Sequence, residues 1–115
     1  MSTQIPILTL SILAAGVIAA GRFITPAGAQ AGADVNTLGV ARAPAAAAGE
    51  VIPVDVLGVA IVEAGAAVAA GATLKTDSSG RGITWVTSGA KVGLALDAAG
   101  AAGAMIRVLL IPNVA

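Results

Sequence analysis

The sequence lacks the side chains on which most enzymes and metal sites depend, since it contains no cysteine, no histidine and no tyrosine. Histidine is the commonest general base and metal ligand, and cysteine supplies thiolate nucleophiles and zinc ligands. The absence of cysteine also excludes a disulfide framework. We therefore predict that the protein is not an enzyme and has no catalytic residue, no metal ligand and no cofactor.

Charge is scarce and balanced. Lysine and arginine together number 6, aspartate and glutamate 6, and charged residues make up 10% of the chain. Without an excess of positive charge there is little to displace counterions from a phosphate backbone, so we predict no nucleic-acid partner. Asp55 is unusual because it stands between Val54 and Val56. The sequence leaves open whether Asp55 points to solvent or pairs with Arg42 or Arg107 across subunits.

Aromatic residues make up only 2% of the chain although hydrophobic residues make up 57%. Most of the apolar content is therefore alanine and branched aliphatic residues, and alanine buries little area. The length of 115 residues fits one domain. A core of small side chains is stabilised weakly per residue, and we expect the surplus apolar surface to be covered by contact with other protein molecules.

An uncharged apolar stretch occupies residues 5–21. An export signal cleaved near residue 31 is one interpretation, but the stretch has no basic residue before it and is interrupted early by Pro6. A membrane span would need about 20 apolar residues, and we predict no membrane partner. We favour an apolar N-terminal arm or edge strand over residues 1–16, followed by a single β-rich domain over residues 17–115.

Two pairs of segments repeat along the chain. "LGVARAPAAAAGEVIPV" from Leu38 aligns without a gap on "VGLALDAAGAAGAMIRV", which begins 54 residues later at Val92. "AAGVIAAGRFIT" from Ala14 resembles "AGAAVAAGATLK", which begins 50 residues later at Ala64. Because aliphatic and small positions both match, and in the same order, the sequence predicts an internally duplicated domain.

The fold class follows from the aliphatic segments that flank the alanine tracts. They are rich in valine, isoleucine and leucine, which predicts strands. We expect a mainly β fold, a small barrel or sandwich with internal pseudo-duplication, short alanine-rich turns with at most one or two helical turns, and an extended apolar N-terminal arm. Pro53 and Pro112 are expected at sheet edges or strand ends, and Gly58 at a bulge.

Several residues are predicted to have particular roles. The segment "KTDSSGRG", residues 75–82, has the composition of a hairpin tip. Gly49 and Gly103 are expected to have positive φ. The glycines predicted as structural turns are Gly21, Gly39, Gly49, Gly71, Gly93 and Gly103. The candidate contacts with other protein molecules are Ile5, Ile7, Leu8, Leu10, Ile12 and Trp85, the last as a core plug or a contact anchor.

Taken in order, the repeated phrases resemble the capsid cement, or head decoration, proteins of tailed bacteriophages. The resemblance runs from Val17 to Ile111 and is carried by Gly39-Val40-Ala41, by Gly49-Glu50, by Gly71 with Leu74, and by the segment from Gly93 to Val108. The arm from Ile5 to Ile12 lies outside these motifs.

The resemblance implies a small β-rich virion protein, usually a homotrimer, on the outer surface of the capsid, where it binds and bridges the major capsid protein and stabilises the lattice. The candidate contact residues would then touch the capsid or another subunit. Two other functions stay open. One is a secreted or envelope-associated bacterial β protein with a cleaved export signal. The other is a host-binding module of a phage fibre or tail.

Overall fold

The computed structural model describes residues 5–111, which form eight β-strands and no helix. The alanine tracts therefore form turns, without the one or two helical turns that the sequence allowed. Pro112 lies outside the described residues. The strands are β1 (Ile5–Leu13), β2 (Phe23–Ile24), β3 (Gly39–Ala41), β4 (Val51–Glu63), β5 (Thr73–Thr76), β6 (Gly82–Thr84), β7 (Gly93–Ala95) and β8 (Met105–Leu110).

All eight strands belong to one antiparallel sheet that curls into a nearly closed, barrel-like shape. The strand order is β2-β3-β4-β8-β7-β5-β6, with β1 also paired to β4. The long strand β4 is shared: its first part pairs with β1 and β3, and its last five residues pair with β8. The mainly β prediction is confirmed.

The strand registers confirm the internal duplication. Two residues that pair across strands in the first repeat have counterparts that pair in the second repeat. The counterparts lie 50 or 54 residues later, which are the offsets that align the sequence. Thus Phe23 pairs with Val40 as Thr73 pairs with Leu94. In the same way β3 pairs with the start of β4 as β7 pairs with β8.

The duplication extends further toward the N-terminus than the sequence motifs showed. Leu13 faces Val51 in the β1–β4 pair, and Glu63 faces Met105 in the β4–β8 pair. These are equivalent positions at offsets of 50 and 54. The end of β1 is therefore the first-repeat counterpart of the end of β4, a point that the motif alignment missed because side chains differ there. The division of the chain at residue 16 stays a prediction.

The alanine-rich turns are held by equivalent backbone bridges. Ile18 and Ala45 exchange two hydrogen bonds, both 2.9 Å long, and their counterparts Val68 and Ala99 exchange bonds of 3.0 and 2.8 Å. Ile18 is buried in one repeat and Val68 in the other. Each turn is thus fixed by one aliphatic anchor and one mutual pair of hydrogen bonds, which satisfies backbone groups without a helix.

Gly58 forms the predicted irregularity. Its φ is +96°, and the β1–β4 register shifts between Pro6 and Leu8 and between Leu8 and Thr9. A Cβ at Gly58 would lie 2.7 Å from the backbone nitrogen of Ile7. The bulge allows β4 to change its direction between its two sets of partners.

Pro53 lies near a strand end, as one of its two predicted positions had it, but not at a sheet edge, since it is the third residue of the interior strand β4. Its counterpart Arg107 explains why proline is accepted there. The Arg107 backbone N–H donates to the side chain of Asp97 at 3.0 Å, while its carbonyl accepts the strand hydrogen bond from Leu96. Pro53 likewise accepts from the N–H of Arg42. A proline at this position therefore removes no ladder hydrogen bond.

The "KTDSSGRG" segment forms the predicted hairpin between β5 and β6. Its tip does more than cap the hairpin, because it binds the first repeat. Ser79 O accepts hydrogen bonds from Arg22 Nη1 at 2.9 Å and from Gln30 Nε2 at 3.0 Å, and Gly80 O accepts one from Phe23 N at 2.8 Å. The hairpin tip thus serves to join the repeats.

The interior contains two hydrophobic clusters. The larger is formed mainly by the second repeat, but Phe23 of the first repeat is fully buried within it. The smaller is formed by Ala14, Ile18, Ile24, Ala41, Ala45, Ile52 and Val54. Because both clusters consist largely of alanine, valine and isoleucine, the backbones pack closely and few large side chains are available to fill a larger interior.

The predicted turn glycines divide into two groups. Gly21, Gly49, Gly71 and Gly103 have φ between +79° and +94° and lie in turns. Gly39 and Gly93 are not turn residues, and this corrects the prediction: they begin β3 and β7. A Cβ at Gly39 would collide with the carbonyl oxygen of Asp55, and one at Gly93 with the side chain of Val108. Close approach of neighbouring strands, rather than turn geometry, requires these two glycines.

Gly49→Ala and Gly103→Ala should each lower the free energy of unfolding by about 1–2 kcal/mol, because alanine is strained at φ near +94°. At neither site would an added Cβ have an atom within 4 Å, so steric contact adds nothing. Urea unfolding measures the effect. Gly16→Ala and Gly100→Ala are matched controls, open in space but without positive φ. Equal stability of all four variants would contradict the strain argument.

Candidate interaction surface

The most exposed apolar surface of the described chain lies along β1. Seven of its nine residues are exposed, and Ile7 keeps 79% of its accessible area. Of the predicted contact residues, Ile5, Ile7, Leu8 and Leu10 are exposed, whereas Ile12 is half-buried against the smaller hydrophobic cluster. Aliphatic side chains exposed in a row are typical of a surface that another protein covers.

A groove of about 420 Å³ borders this strand. It is lined by Leu8, Leu10, Pro26, Thr37, Leu38, Val56 and Leu57. The lining is mostly aliphatic, and none of these side chains carries a charge. Such a groove accepts an apolar side chain from a partner rather than a charged or metal ligand.

β1 is fixed to the body by a buried carboxylate that the sequence placed only ambiguously. Asp55 is 1% exposed and pairs with Arg42 of the same chain, with Nη2 2.8 Å from Oδ1. The Thr9 hydroxyl of β1 donates to the same Oδ1 at 2.9 Å. Asp55 therefore points neither to solvent nor to another subunit. It accepts hydrogen bonds from both sides of β4 and holds β1 in register.

Trp85 lies far from β1 in the strand order, just after β6 at the end of the sheet. It is half-buried and belongs to neither hydrophobic cluster, so of its two predicted roles it does not plug the core, and its role as a contact anchor stays a prediction. Its Nε1 donates to Gly89 O at 2.9 Å, and Lys91 Nζ lies 4.5 Å from the ring centroid. With the exposed Val86 beside it in sequence, Trp85 defines a second, smaller apolar surface.

A second Arg–Asp pair holds the equivalent strands of the other repeat. Arg107 donates from Nη2 and Nε to the two carboxylate oxygens of Asp97, at 2.8 and 3.0 Å, and its backbone N–H adds a third bond. The Arg107 side-chain hydrogen bonds, followed by the backbone one, lower the pKa of Asp97 from 3.8 to about 2. The Asp97 carboxylate raises the pKa of Arg107 in turn. The two Arg–Asp pairs lie at positions that are not equivalent in the two repeats. Aligning the repeats therefore does not match one pair with the other.

Among residues 5–111 no helix is both long and apolar enough to cross a bilayer. The apolar N-terminal segment is instead a strand, and Phe23, Ile24 and Ala31 beyond it are buried in the core. Removal of residues 1–31 would take β1 and β2 from the sheet.

These features describe a small all-β protein with a duplicated sheet and one exposed apolar strand. The sequence matches the phage cement protein family over residues 1–110, and the chain belongs to that family. It is a structural protein associated with the phage head, at the outer surface of the capsid. The curated proteins include no sequence match.

The fold is also found among solved structures. The chain is similar to the N base of head fiber gp8.5 of bacteriophage phi29, with a TM-score of 0.72 and 18% sequence identity, over 90% of this chain and 93% of that one. At this identity the similarity extends to the fold alone. This fold therefore also occurs in a protein described as a phage head fiber.

Asp55→Ala should destabilise the protein by about 1–3 kcal/mol, because it leaves Arg42 and Thr9 without their shared acceptor. The expected loss of stability is smaller than for breaking a fully buried ion pair, because the Arg42 side chain is 35% exposed and can be hydrated. Thermal unfolding measures the loss, and hydrogen exchange should show faster opening of the Leu10 and Ile12 amides, which point toward β4 as the Ala14 N–H does. Thr9→Val, which removes one hydrogen bond only, should cost less. Unaltered exchange in β1 would contradict the role of Asp55.

The depressed pKa of Asp97 predicts a pH dependence of stability. A carboxyl whose folded pKa lies below its unfolded value stabilises the fold above the unfolded pKa, and that contribution is lost as pH falls from 3.8 toward 2. Asp97→Asn should flatten the stability curve in this range. In an NMR titration, Arg107→Met should raise the pKa of Asp97, though not fully, because the backbone N–H still donates. An unchanged Asp97 pKa in Arg107→Met would refute the attribution.

Proposed function

We propose that the protein binds the major capsid protein on the outside of a tailed-phage head, as a homotrimer, and stabilises the capsid lattice. The observation that carries this proposal is the exposed apolar strand β1 with its adjoining groove. The membership of the phage cement family supports the location, and the chemistry of this surface supports the type of contact.

The proposed capsid contact is formed by Ile5, Ile7, Leu8 and Leu10. Leu8 and Leu10 line the groove, and Ile5 and Ile7 continue the apolar surface toward the start of β1. No charged side chain lines the groove, so affinity would come from burial and fit rather than from electrostatic steering. An aliphatic side chain of the capsid protein is the expected occupant.

The backbone of β1 favours the same partner. β1 pairs with β4 on one side, and its other edge faces away from the sheet. An exposed edge strand presents unpaired N–H and C=O groups and readily accepts another strand. An extended capsid segment could therefore add hydrogen bonds to the apolar contact.

Repetition on a shell strengthens a modest contact. Many symmetry-related sites place bound copies beside one another, and linked sites raise the effective concentration of each contact. A chain with a small core and few charged residues is suited to this arrangement, because its stability increases when its apolar surface is covered. Trp85 is the candidate for a further subunit or capsid contact.

A host-binding module on a fibre is the second candidate, favoured by the similarity to a head fiber base. Its surface would be expected to present polar and aromatic binding residues. The described chain offers one tryptophan, already bonded to Gly89 and covered by Lys91. Binding to phage heads but not to host cells would separate the two functions.

Purified protein added to undecorated heads should bind and raise their melting temperature. Ile7→Asp and Leu10→Asp together should weaken binding at least tenfold, because two carboxylates would lose hydration in an apolar contact. Occupancy by sedimentation and head melting by calorimetry measure both effects. The variant should fold, since both residues are exposed.

Val86→Asp is the matched control, because Val86 is 68% exposed and lies near Trp85, away from β1. It should bind heads as the wild type does if β1 alone forms the main contact. Loss of binding in Val86→Asp with retention in the β1 variant would move the contact to the Trp85 surface. Absence of wild-type binding to heads would refute the proposed function.

A further inference from the structure

The two repeats contact each other through a turn of the first and a strand end of the second. Gly21 O accepts a hydrogen bond from Glu63 N at 2.9 Å. The neighbouring side chains form an ion pair, with Arg22 Nη2 3.1 Å from Glu63 Oε1. Met105 covers the turn, since its Cε lies 2.7 Å from a Cβ placed on Gly21. Gly21 is buried as a result.

Each surface of this contact has a duplicate that is left uncovered. The counterpart of the Gly21 turn is the Gly71 turn, where residues 69–71 are exposed and a Cβ on Gly71 would meet no atom within 4 Å. The counterparts of Glu63 and Met105 are Leu13 and Val51, which keep 62% and 66% of their accessible area. A turn of the second repeat and a strand end of the first are therefore both unoccupied by the described chain.

Both charged residues of the covered contact have apolar counterparts at the uncovered surfaces. The counterpart of Arg22 is Ala72, and the counterpart of Glu63 is Leu13. An ion pair inside the chain thus becomes a pair of apolar residues at the uncovered surfaces, without leaving an unpaired charge on either. This joint change is expected if the two surfaces bind each other and not unrelated partners.

The backbone donor is also duplicated. Ala14 N donates toward β4, to Glu50 O at 2.8 Å, as its counterpart Ala64 N donates to Ala104 O at 2.8 Å. Because alternate residues of a strand direct their N–H groups to opposite sides, the N–H of Leu13 points away from β4. It is oriented as the Glu63 N–H is toward Gly21. The carbonyl of Gly71 is the corresponding acceptor.

We propose that two copies of this chain associate by continuing the interface between the repeats: the Gly71 turn of one copy packs on Leu13 and Val51 of the next. The contact is heterologous, so successive copies form a ring if the rotation closes. It rests on the homo-oligomeric part of the proposed function and assigns the surfaces that such an oligomer uses. It leaves Ile5–Leu10 free for the capsid.

The contact between copies is weaker than the contact within the chain. Phe23, which inserts into the second repeat, has Thr73 as its counterpart, so the uncovered pair lacks an aromatic anchor. The hairpin tip at Ser79, which binds Arg22, also has no equivalent contact at the uncovered surfaces of the described chain. Association should therefore depend on concentration, and the local concentration on a head favours it.

A charge exchange tests the pairing directly. Leu13→Glu or Ala72→Arg alone should weaken self-association at least tenfold, because each puts one charge into an apolar contact. The double variant carries the Arg22–Glu63 pair at the new position and should recover association. Sedimentation velocity over a concentration series measures this. Ile7→Glu is the control that should associate as the wild type does, because Ile7 is exposed and lies outside the proposed contact between copies.

A cross-linking measurement captures weak association. The chain contains no cysteine, so a variant with Leu13→Cys and Ala72→Cys should react with a short bis-maleimide to give covalent oligomers, while either single cysteine should yield dimers at most. Circular dichroism and thermal melting show that each variant is folded.

Three outcomes would overturn the inference. They are a wild type that does not sediment as an oligomer together with a Leu13→Cys, Ala72→Cys variant that does not cross-link into oligomers, single charge variants that associate normally, and a double charge variant that does not recover association. A wild type that binds heads as a monomer would overturn this inference and leave capsid binding intact. A chain that associates through these surfaces but does not bind heads would overturn the proposed capsid binding and leave this inference intact.

Discussion

The fold depends on the pairing of one long strand, β4, with strands of both repeats. Its first part completes the first repeat with β1 and β3, and its last residues begin the second repeat with β8. A single covalent element thus belongs to two hydrogen-bonded ladders, and disruption of either ladder exposes backbone groups of the other. Gly58, with its positive φ and close contact to Ile7, allows the strand to serve both.

A sheet made from small side chains gains stability differently from one with an aromatic core. Alanine and valine contribute little area each, so close backbone packing and complete hydrogen bonding matter more. The mutual bonds at Ile18–Ala45 and Val68–Ala99 illustrate this. The buried Asp55 does the same for β1 by accepting from Arg42 and Thr9 at once. Under the proposed capsid contact, neighbours on the head would cover much of the apolar surface that such a small core leaves exposed.

The two repeats differ in residue type where they contact each other or lie at the surface. Arg22 and Glu63 are charged within the chain, whereas Ala72 and Leu13 are apolar at the surface. Phe23 enters the second core, but Thr73 has no such role. A duplicated domain therefore shows its contacts through the positions at which its halves differ.

The sequence by itself determined the mainly β class, the duplication and the turn glycines at 21, 49, 71 and 103. Alternation and repeat spacing can be recognised along the chain without knowing how its segments pack. Only the tertiary structure decided that Gly39 and Gly93 lie in strands, that Asp55 pairs with Arg42 inside the chain, that Pro53 fits an interior strand and that Trp85 lies outside the core. Each of these depends on which residues face one another across the sheet. The register that brings them together is set by the joint packing of all eight strands, so no single segment encodes it.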